Sequence, residues 1–229
     1  MQEYQMTKWS RKFGGGRTVF TGENSSLTSG QYDTDIDTLP DIKDGFVPAG
    51  TPIKADDAER TIEIFYAFET NAVTAYTSGD TSFSVQVKKG WEGSRARVGM
   101  VLGECPASDL TAEVTDPLTI TAIDRTNTNY DSITVSCSAR TSTQIAEGTV
   151  LVELKKDSND DYYVKVLPNA LLPYDVVKDP NVLNMYGLDG LFCHPNGVLL
   201  TRRIPVIPSI IRTYMRAQDV YVRYSESKE

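Results

Sequence analysis

Five aspartates within one twelve-residue segment are candidate ligands for a metal ion. They are Asp33, Asp35, Asp37, Asp41 and Asp44. Their spacing matches positions 1, 3, 5, 9 and 12 of a calcium-binding loop. Against a calcium site, Thr38 stands where the sharp turn needs glycine, Pro40 interrupts the frame, and the flanking sequence does not indicate helices. We therefore favour a solvated acidic loop, and we expect the protein to need no metal or other cofactor.

His194 is the only histidine in the chain, which limits the catalysis open to the protein. General acid–base catalysis most often uses histidine, and zinc sites usually include it. Cys193 and His194 resemble a nucleophile and its base, but adjacent side chains in an extended chain point to opposite faces, and the sequence that follows indicates a turn. We therefore expect no enzymatic activity. A carboxylate-dependent polysaccharide hydrolase is the least favoured alternative.

The composition is that of a globular protein that folds without a metal or a disulfide. Hydrophobic residues make up 40% of the 229 residues and charged residues 24%, which excludes a wholly disordered chain. Cys105, Cys137 and Cys193 lack paired spacing and are expected to be reduced thiols. Neither a signal peptide nor an apolar run of membrane-spanning length is evident. We expect assembly in a cytoplasm and no contact with a membrane.

The charge of −8 is unevenly distributed along the chain. Residues 1–22 carry a net charge of +3 and residues 201–223 a net charge of +4, whereas residues 23–200 carry −14. An acidic body would repel nucleic-acid phosphates, so direct nucleic-acid binding is not expected. Basic ends suit docking onto a negatively charged surface; the alternative is that they are simply solvated.

The first thirty residues have the composition of a flexible arm that orders against a partner. They combine a triple glycine, several serines and isolated aromatic residues, without a sustained period. Large aromatic and arginine side chains dominate contact energetics. The predicted docking residues are Trp9, Arg11, Lys12, Phe13 and Arg17. A frayed terminus is the alternative interpretation.

From about residue 45, apolar and polar residues alternate with the period of β-strands. The predicted strands cover residues 61–68, 83–88, 133–139, 149–154, 162–167 and 220–224. Residues 208–218 predict the one clear helix, with a proline at its start and Ile210, Ile211, Tyr214 and Met215 on one face. A short helical turn is also expected within 181–190. The predicted fold class is mainly β.

A local pattern occurs twice, about one hundred residues apart. Residues 46–53 and 144–151 each have an apolar approach, then Gly-Thr, then an apolar strand start. Glycine permits the positive φ of such a turn. The repeat suggests two related β-sandwich or barrel-like modules, 45–125 and 126–229, behind an N-terminal arm and acidic loop at 1–44. Because Gly-Thr turns are common in β-proteins, a chance repeat stays open.

Four segments in a fixed order resemble head-fibre and auxiliary (decoration) proteins of tailed bacteriophage capsids, including those of crAss-like phages. They are DGFVPAGTPIK at 44–54, IDRTNTNYDSITV at 123–135, GTVLVE at 148–153 and YVKVLPNAL at 163–171. The resemblance covers roughly residues 44–229, except that 205–224 does not match it. It implies a non-catalytic virion protein on the outer surface of the capsid. It also implies the major capsid protein as partner and a homo-oligomer, commonly a trimer.

The alternative function is a virion-displayed module that binds host-surface glycans. Exposed aromatic residues grouped together would favour it, and the candidates are Tyr130, Tyr162, Tyr163, Tyr174 and Tyr186. Tyrosines in β-proteins more often serve core and interface packing. The sequence therefore favours the capsid-bound structural protein.

Overall fold

The computed structural model describes most of the chain from residue 46 onward and a few short stretches before it. The described residues are 20–21, 25–27, 32, 34–40, 46–77, 79–90, 93, 95–138, 144–172, 175–176, 191–193, 197–199, 204–218 and 222–224. Within them the protein is mainly β with one short C-terminal α-helix, which confirms the predicted fold class.

Most strands are short, and the longest lie in the middle of the chain. In chain order they are β1 Phe20–Thr21, β2 Ser25–Leu27, β3 Pro52–Asp56, β4 Thr61–Ile64, β5 Ala67–Glu69, β6 Thr74–Ala75, β7 Ser82–Lys88, β8 Val101–Glu104, β9 Leu118–Asp124, β10 Tyr130–Cys137, β11 Gln144–Ile145, β12 Val150–Lys156, β13 Tyr162–Val164, β14 Ala170–Leu171, β15 Leu191–Cys193, β16 Gly197–Leu199 and β17 Val222–Tyr224. The helix α1 is Ser209–Ala217, and a single 3-10 turn covers Ile36–Thr38.

The largest sheet has seven antiparallel strands, six of them in the order β13-β12-β8-β9-β10-β7 and the seventh being β5. Strand β5 also pairs with β12, and it lies along the same edge of β12 as β13, because β8 occupies the other edge. In β10 the alternation predicted from the sequence is realised. Asp131, Ile133 and Val135 are buried, and the residues between them face outward.

A second sheet of five strands has the order β2-β15-β14-β3-β4. Two smaller sheets, β1-β16-β17 and β11-β6, complete the described architecture. Strands β1 and β2 fall within the segment predicted to be an arm, and both pair with strands of the same chain. Two or three residues are too few to show a period, so the sequence could not indicate these pairings.

Two clusters of buried side chains hold the sheets together. The first joins Ile53 and Ile62 of the five-stranded sheet with Val85 and Ile133 of the seven-stranded sheet. The second lies on the other face of β12 and is covered by α1, whose Ile211 and Met215 are fully buried.

The two Gly-Thr turns have the same backbone geometry. Gly50 and Gly148 both have positive φ values, 83° and 77°. In each turn the glycine N–H donates to one residue, and the threonine carbonyl accepts from the same residue. That residue is Leu172 for the first turn and Thr70 for the second.

Each Gly-Thr turn is hydrogen-bonded to a segment from the other half of the chain. The first turn leads into β3, which pairs with β14, whereas the second leads into β12, which pairs with β5. Leu172 directly follows β14 and Thr70 directly follows β5. Each half therefore supplies the strand that borders the other half's turn.

The predicted boundary between residues 125 and 126 falls in the turn that joins β9 to β10. These two strands pair along six residues, and the seven-stranded sheet takes strands from both sides of the boundary. The two halves thus share sheets, because strands of each half pair with strands of the other half. Whether the halves arose by duplication stays a prediction.

Candidate functional site

The outer face of β7, β10 and β9 carries small hydroxyl side chains in register. Alternation turns every second residue outward, and the antiparallel pairing aligns them in rows across the three strands. One row is Ser82, Ser136 and Thr119, and the next is Ser84, Thr134 and Ala122. We call these six residues the hydroxyl face.

The hydroxyl face is uncharged, and half of its residues are exposed. Helix α1 and the second cluster cover the β12 side of the same sheet, whereas Ser82, Ser84 and Ala122 are exposed. Charged residues begin one or two rows further on, with Asp124 and Lys88. In a chain with 24% charged residues, this is a distinct surface. The hydroxyl of Ser84 lies 2.8 Å from that of Ser132 in the adjoining row, so hydroxyls here satisfy one another.

A cavity of about 460 Å³ lies along the edge of β4 that faces away from β3. The lining residues are Thr34, Asp35, Thr38, Thr61, Ile62, Glu63, Ile64, Glu153, Lys165 and Val166. Residues 34–38 form one wall and the β12–β13 hairpin contributes another. We call this the β4 cavity.

Glu153 is the most buried charged group of the β4 cavity, with 9% of its side chain exposed. Its Oε1 lies 3.0 Å from Lys165 Nζ and 3.4 Å from Arg97 Nη2. Its Oε2 is buried and accepts no hydrogen bond within the described part of the chain. The site therefore holds one carboxylate between two cations, with one acceptor left over.

Arg97, which contacts Glu153, is itself held in place by Tyr66 and by the backbone of Thr38. The guanidinium of Arg97 lies 4.8 Å from the centre of the Tyr66 ring and also donates to the Thr38 carbonyl. The Tyr66 hydroxyl donates to the same carbonyl at 2.6 Å. Burial raises the pKa of Tyr66 to about 12, although Arg97 and Arg95 act in the opposite direction. The phenol therefore stays a neutral donor.

The sequence analysis missed Glu153 and Lys165, although both interrupt an apolar run. Glu153 follows Leu151 on the inward face of β12, between the buried Val152 and Leu154. Lys165 stands between Val164 and Val166, both of which belong to the second cluster. A charged residue inside an apolar run was the available signal, but only the fold brings the two together.

The predicted docking and calcium residues fall largely outside the described part of the chain. Trp9, Arg11, Lys12, Phe13 and Arg17 all lie outside it, as do Asp33, Asp41 and Asp44. The two described aspartates form a tight turn. The Asp35 carboxylate accepts the Asp37 N–H at 3.0 Å, and both residues are exposed. The docking and acidic-loop predictions stay predictions.

The three described tyrosines of the predicted glycan-binding set do not form one group. Tyr130 lies on β10 and Tyr162 and Tyr163 lie on β13, so four strand spacings of the sheet, about 19 Å, separate them. Tyr174 and Tyr186 are outside the described residues. The positions of the three described tyrosines do not favour one shared site, and the glycan-binding prediction for the whole set stays a prediction.

Cys105 and Cys137 are half-buried, and neither belongs to a disulfide. Burial raises the pKa of Cys105 to about 11, which suits an unreactive structural thiol rather than a nucleophile. The Cys193 backbone belongs to β15, and His194 lies outside the described residues.

Comparison with protein-family models, with curated proteins and with solved structures found no match for this chain. Within the described ranges, no three His, Cys, Asp or Glu side chains converge as metal ligands. None of the helices described is long and apolar enough to cross a membrane.

Proposed function

We propose that the protein is a non-catalytic structural component of a tailed-phage virion, bound as a homo-oligomer to the outer surface of the capsid. The observation that carries this proposal is the hydroxyl face, an uncharged part of a sheet on an acidic protein. Contact surfaces are depleted of charge at their centres. Small hydroxyl side chains also allow a partner to approach the sheet closely, at little cost in side-chain entropy.

The same face implies a weak contact for each single copy. Serine and threonine bury little apolar area, and contact energy rises mainly with large anchors such as tryptophan and arginine. A capsid compensates because it presents the same site many times, and an oligomer engages several sites at once. The hydroxyl face therefore fits a multivalent partner better than a single soluble one.

The segments that resemble capsid decoration proteins bear on the fold of this protein more directly than on the surface that would contact the capsid. Residues 44–54 and 148–153 contain the two Gly-Thr turns, and residues 123–135 form most of the β9–β10 hairpin. The resemblance therefore concerns the framework of turns and strands. The contact surface has to be found separately, and the hydroxyl face is our assignment.

Co-sedimentation with capsids that lack this protein tests the proposal. We expect saturable binding by the wild-type protein, and about tenfold weaker binding by both Ser84→Arg and Ser84→Glu, because either charge would be buried against the shell. Ser158→Arg, in an exposed turn, is the matched control and should bind normally. If Ser84→Arg binds more tightly while Ser84→Glu binds more weakly, general charge attraction is responsible and the hydroxyl face is not the contact.

The predicted docking role of the arm needs its own variant. Deletion of residues 1–19, which spares β1, should leave a folded protein that no longer binds capsids, and wild-type binding should weaken with salt because this segment is basic. Sedimentation velocity on the same samples gives the oligomeric state, for which we expect a trimer. Full binding by the deletion variant would exclude the arm as a docking element.

A further inference from the structure

Lys89 and Asp131 form a close pair of side chains at the end of β7. Asp131 lies on the inward face of β10, where it is 2% exposed and directly opposite Val87. Lys89 follows β7, and its N–H donates to the Asn129 carbonyl at 2.9 Å, so the pairing of the two strands continues to this residue. The two side chains are therefore diagonal neighbours on adjacent strands. Lys89 Nζ lies 3.1 Å from Asp131 Oδ1.

The Asp131 carboxylate has fewer partners than a buried charge needs. Its Oδ1 is buried and accepts no hydrogen bond from the described part of the chain, so the approach of Lys89 Nζ is close but not aligned as a hydrogen bond. Among the described residues, Lys89 is also the one cation within ion-pair distance of Asp131. A buried carboxylate that has one ammonium beside it and an oxygen without a donor is unfavourable.

Glu153 is also a buried carboxylate, and it shows the difference. It lies between Lys165 and Arg97, and Lys165 Nζ donates to its Oε1 at 3.0 Å. Two cations favour the ionised form of a carboxyl group, and a carboxylate anion does not react with an amine. Asp131 has a single cation. Transfer of one proton from Lys89 to Asp131 gives an acid beside an amine and removes both charges from an apolar interior.

Three groups surround the Lys89 nitrogen and fix its position. Nζ donates to the Arg125 carbonyl at 3.1 Å and to the Asn127 carbonyl at 3.4 Å, and the Asp131 carboxyl is the third neighbour. A neutral amine has two N–H donors and one lone pair. The two carbonyls use both donors, so the lone pair is left for the carboxyl group. The 3.1 Å contact brings the two groups to the separation of about 3–3.5 Å that a near-attack arrangement needs.

We propose that Lys89 and Asp131 condense to an amide, which links β7 covalently to β10. One proton first passes from the Lys89 ammonium to the Asp131 carboxylate. The lone pair of the amine then forms the Nζ–Cγ bond, and one Cγ–O bond of the carboxyl group breaks. The oxygen leaves as water, with the proton that the carboxyl group received and a second proton from the attacking nitrogen. The amide keeps one N–H, and the reaction needs no oxidant or cofactor.

The mass of the intact full-length protein tests this bond. After incubation at neutral pH, the denatured and reduced wild-type chain should be lighter than its sequence by one water molecule. A tryptic digest should contain residues 89–95 joined to residues 126–140, because trypsin does not cut after an acylated lysine.

Variants assign the loss of water to this pair. Lys89→Arg keeps the positive charge but cannot form the amide, so its mass should equal that of its sequence. Asp131→Asn should condense with loss of ammonia instead of water. Lys156→Arg is the matched control, because Lys156 Nζ lies 2.9 Å from Asp160 in a pair whose side chains are 49% and 82% exposed. This variant should still lose one water, since a solvated ion pair does not condense.

Two results would overturn the proposal. One is a wild-type mass equal to that of the unmodified sequence after prolonged incubation. The other is a loss of water that persists in Lys89→Arg, because dehydration of another aspartate to a succinimide gives the same mass. If Lys89→Arg does not fold, the joined peptides of the wild type decide alone. The measurement needs no capsid, so this proposal and the function proposed above fail independently.

Discussion

Glu153 occupies a position that the pattern of β12 would otherwise give to an apolar side chain. It is held between Lys165 and Arg97, and the desolvation of such a group offsets much of the attraction. The three charges therefore do not explain the stability of the fold. Instead, each of the three charged side chains is tolerated in this buried position only because the other two are present.

This dependence gives a prediction for single and combined substitutions. Lys165→Met should lower the free energy of unfolding by about 1–2 kcal/mol, because it leaves Glu153 with only the longer contact to Arg97. The triple variant with Arg97→Met, Glu153→Met and Lys165→Met should lose less than Lys165→Met alone. Urea denaturation measures both, and a triple variant that loses the sum of three single changes would refute the interpretation.

Tyr66 gives a prediction in alkaline solution. Its pKa is about 12 in the folded protein and 10.0 for the unperturbed side chain. The unfolded chain therefore ionises first, so the contribution is fully present below pH 10 and is lost between pH 10 and pH 12. Over this range the wild-type free energy of unfolding should fall by roughly 2–3 kcal/mol more than that of Tyr66→Phe. Parallel curves from urea denaturation would contradict the assignment.

At this scale the sequence predicted residue types better than residue partners. Lys165 between two valines is visible in the sequence, but its pairing with Glu153 depends on the register of β12 with β13, which the sequence does not state. For the same reason the sequence could not indicate that Tyr130 and Tyr163 belong to distant strands of one sheet.

At the scale of elements, strands with clear alternation and the amphipathic helix were predictable. The helix predicted at 208–218 is observed at Ser209–Ala217, and its buried face is the predicted one. Strand β8 was not predicted, since Gly103 interrupts a run of only four residues. Strand β14 has two residues and exists because β3 and β15 flank it, which no local pattern can indicate.

Gly103 shows how tightly β8 packs and provides the prediction for this scale. A Cβ at this position would lie 2.6 Å from Leu154 Cδ1 and 2.7 Å from Val114 Cγ1. Gly103→Ala should therefore cost about 1–3 kcal/mol of unfolding free energy. Because the clash is with side chains, adding Val114→Ala should cost less in this background than in the wild type.

Gly79 is the comparison for Gly103. It has a φ of +96° and open space around its Cα, so Gly79→Ala suffers only backbone strain. Val114→Ala should therefore have the same cost in the Gly79→Ala background as in the wild type. Thermal or urea denaturation measures these differences. If Val114→Ala costs the same unfolding free energy in both backgrounds as in the wild type, packing against Val114 does not explain why position 103 is glycine.

For the whole molecule, the exchange of strands between the halves predicts a single unfolding transition. β3 cannot keep its partner β14 if the second half unfolds, and β12 cannot keep β5 if the first half unfolds. We expect circular dichroism and native-state hydrogen exchange to give the same free energy for amides of β3 and β12. A denaturation curve with two steps would show that the halves are independent.

At this scale the period-two alternation predicted the class of fold, and the repeat predicted its two turns. Both Gly-Thr turns have the positive φ that the pattern implied. The division of the sheets could not be predicted, because the sequence of a turn fixes its own geometry and not the strand that will border it.

The exchange of strands between the halves also bears on how the chain reaches its native state. Pairing β3 with β14 closes a loop of more than one hundred residues, as the partners Ile53 and Ala170 show. Such distant contacts give a high contact order, and proteins of this kind fold slowly. While one chain is still incomplete, a neighbouring chain offers the same strands with the same hydrogen bonds. Domain swapping between copies is therefore the misassembly to which this topology is most exposed, and slow synthesis or low concentration should favour the correctly closed molecule.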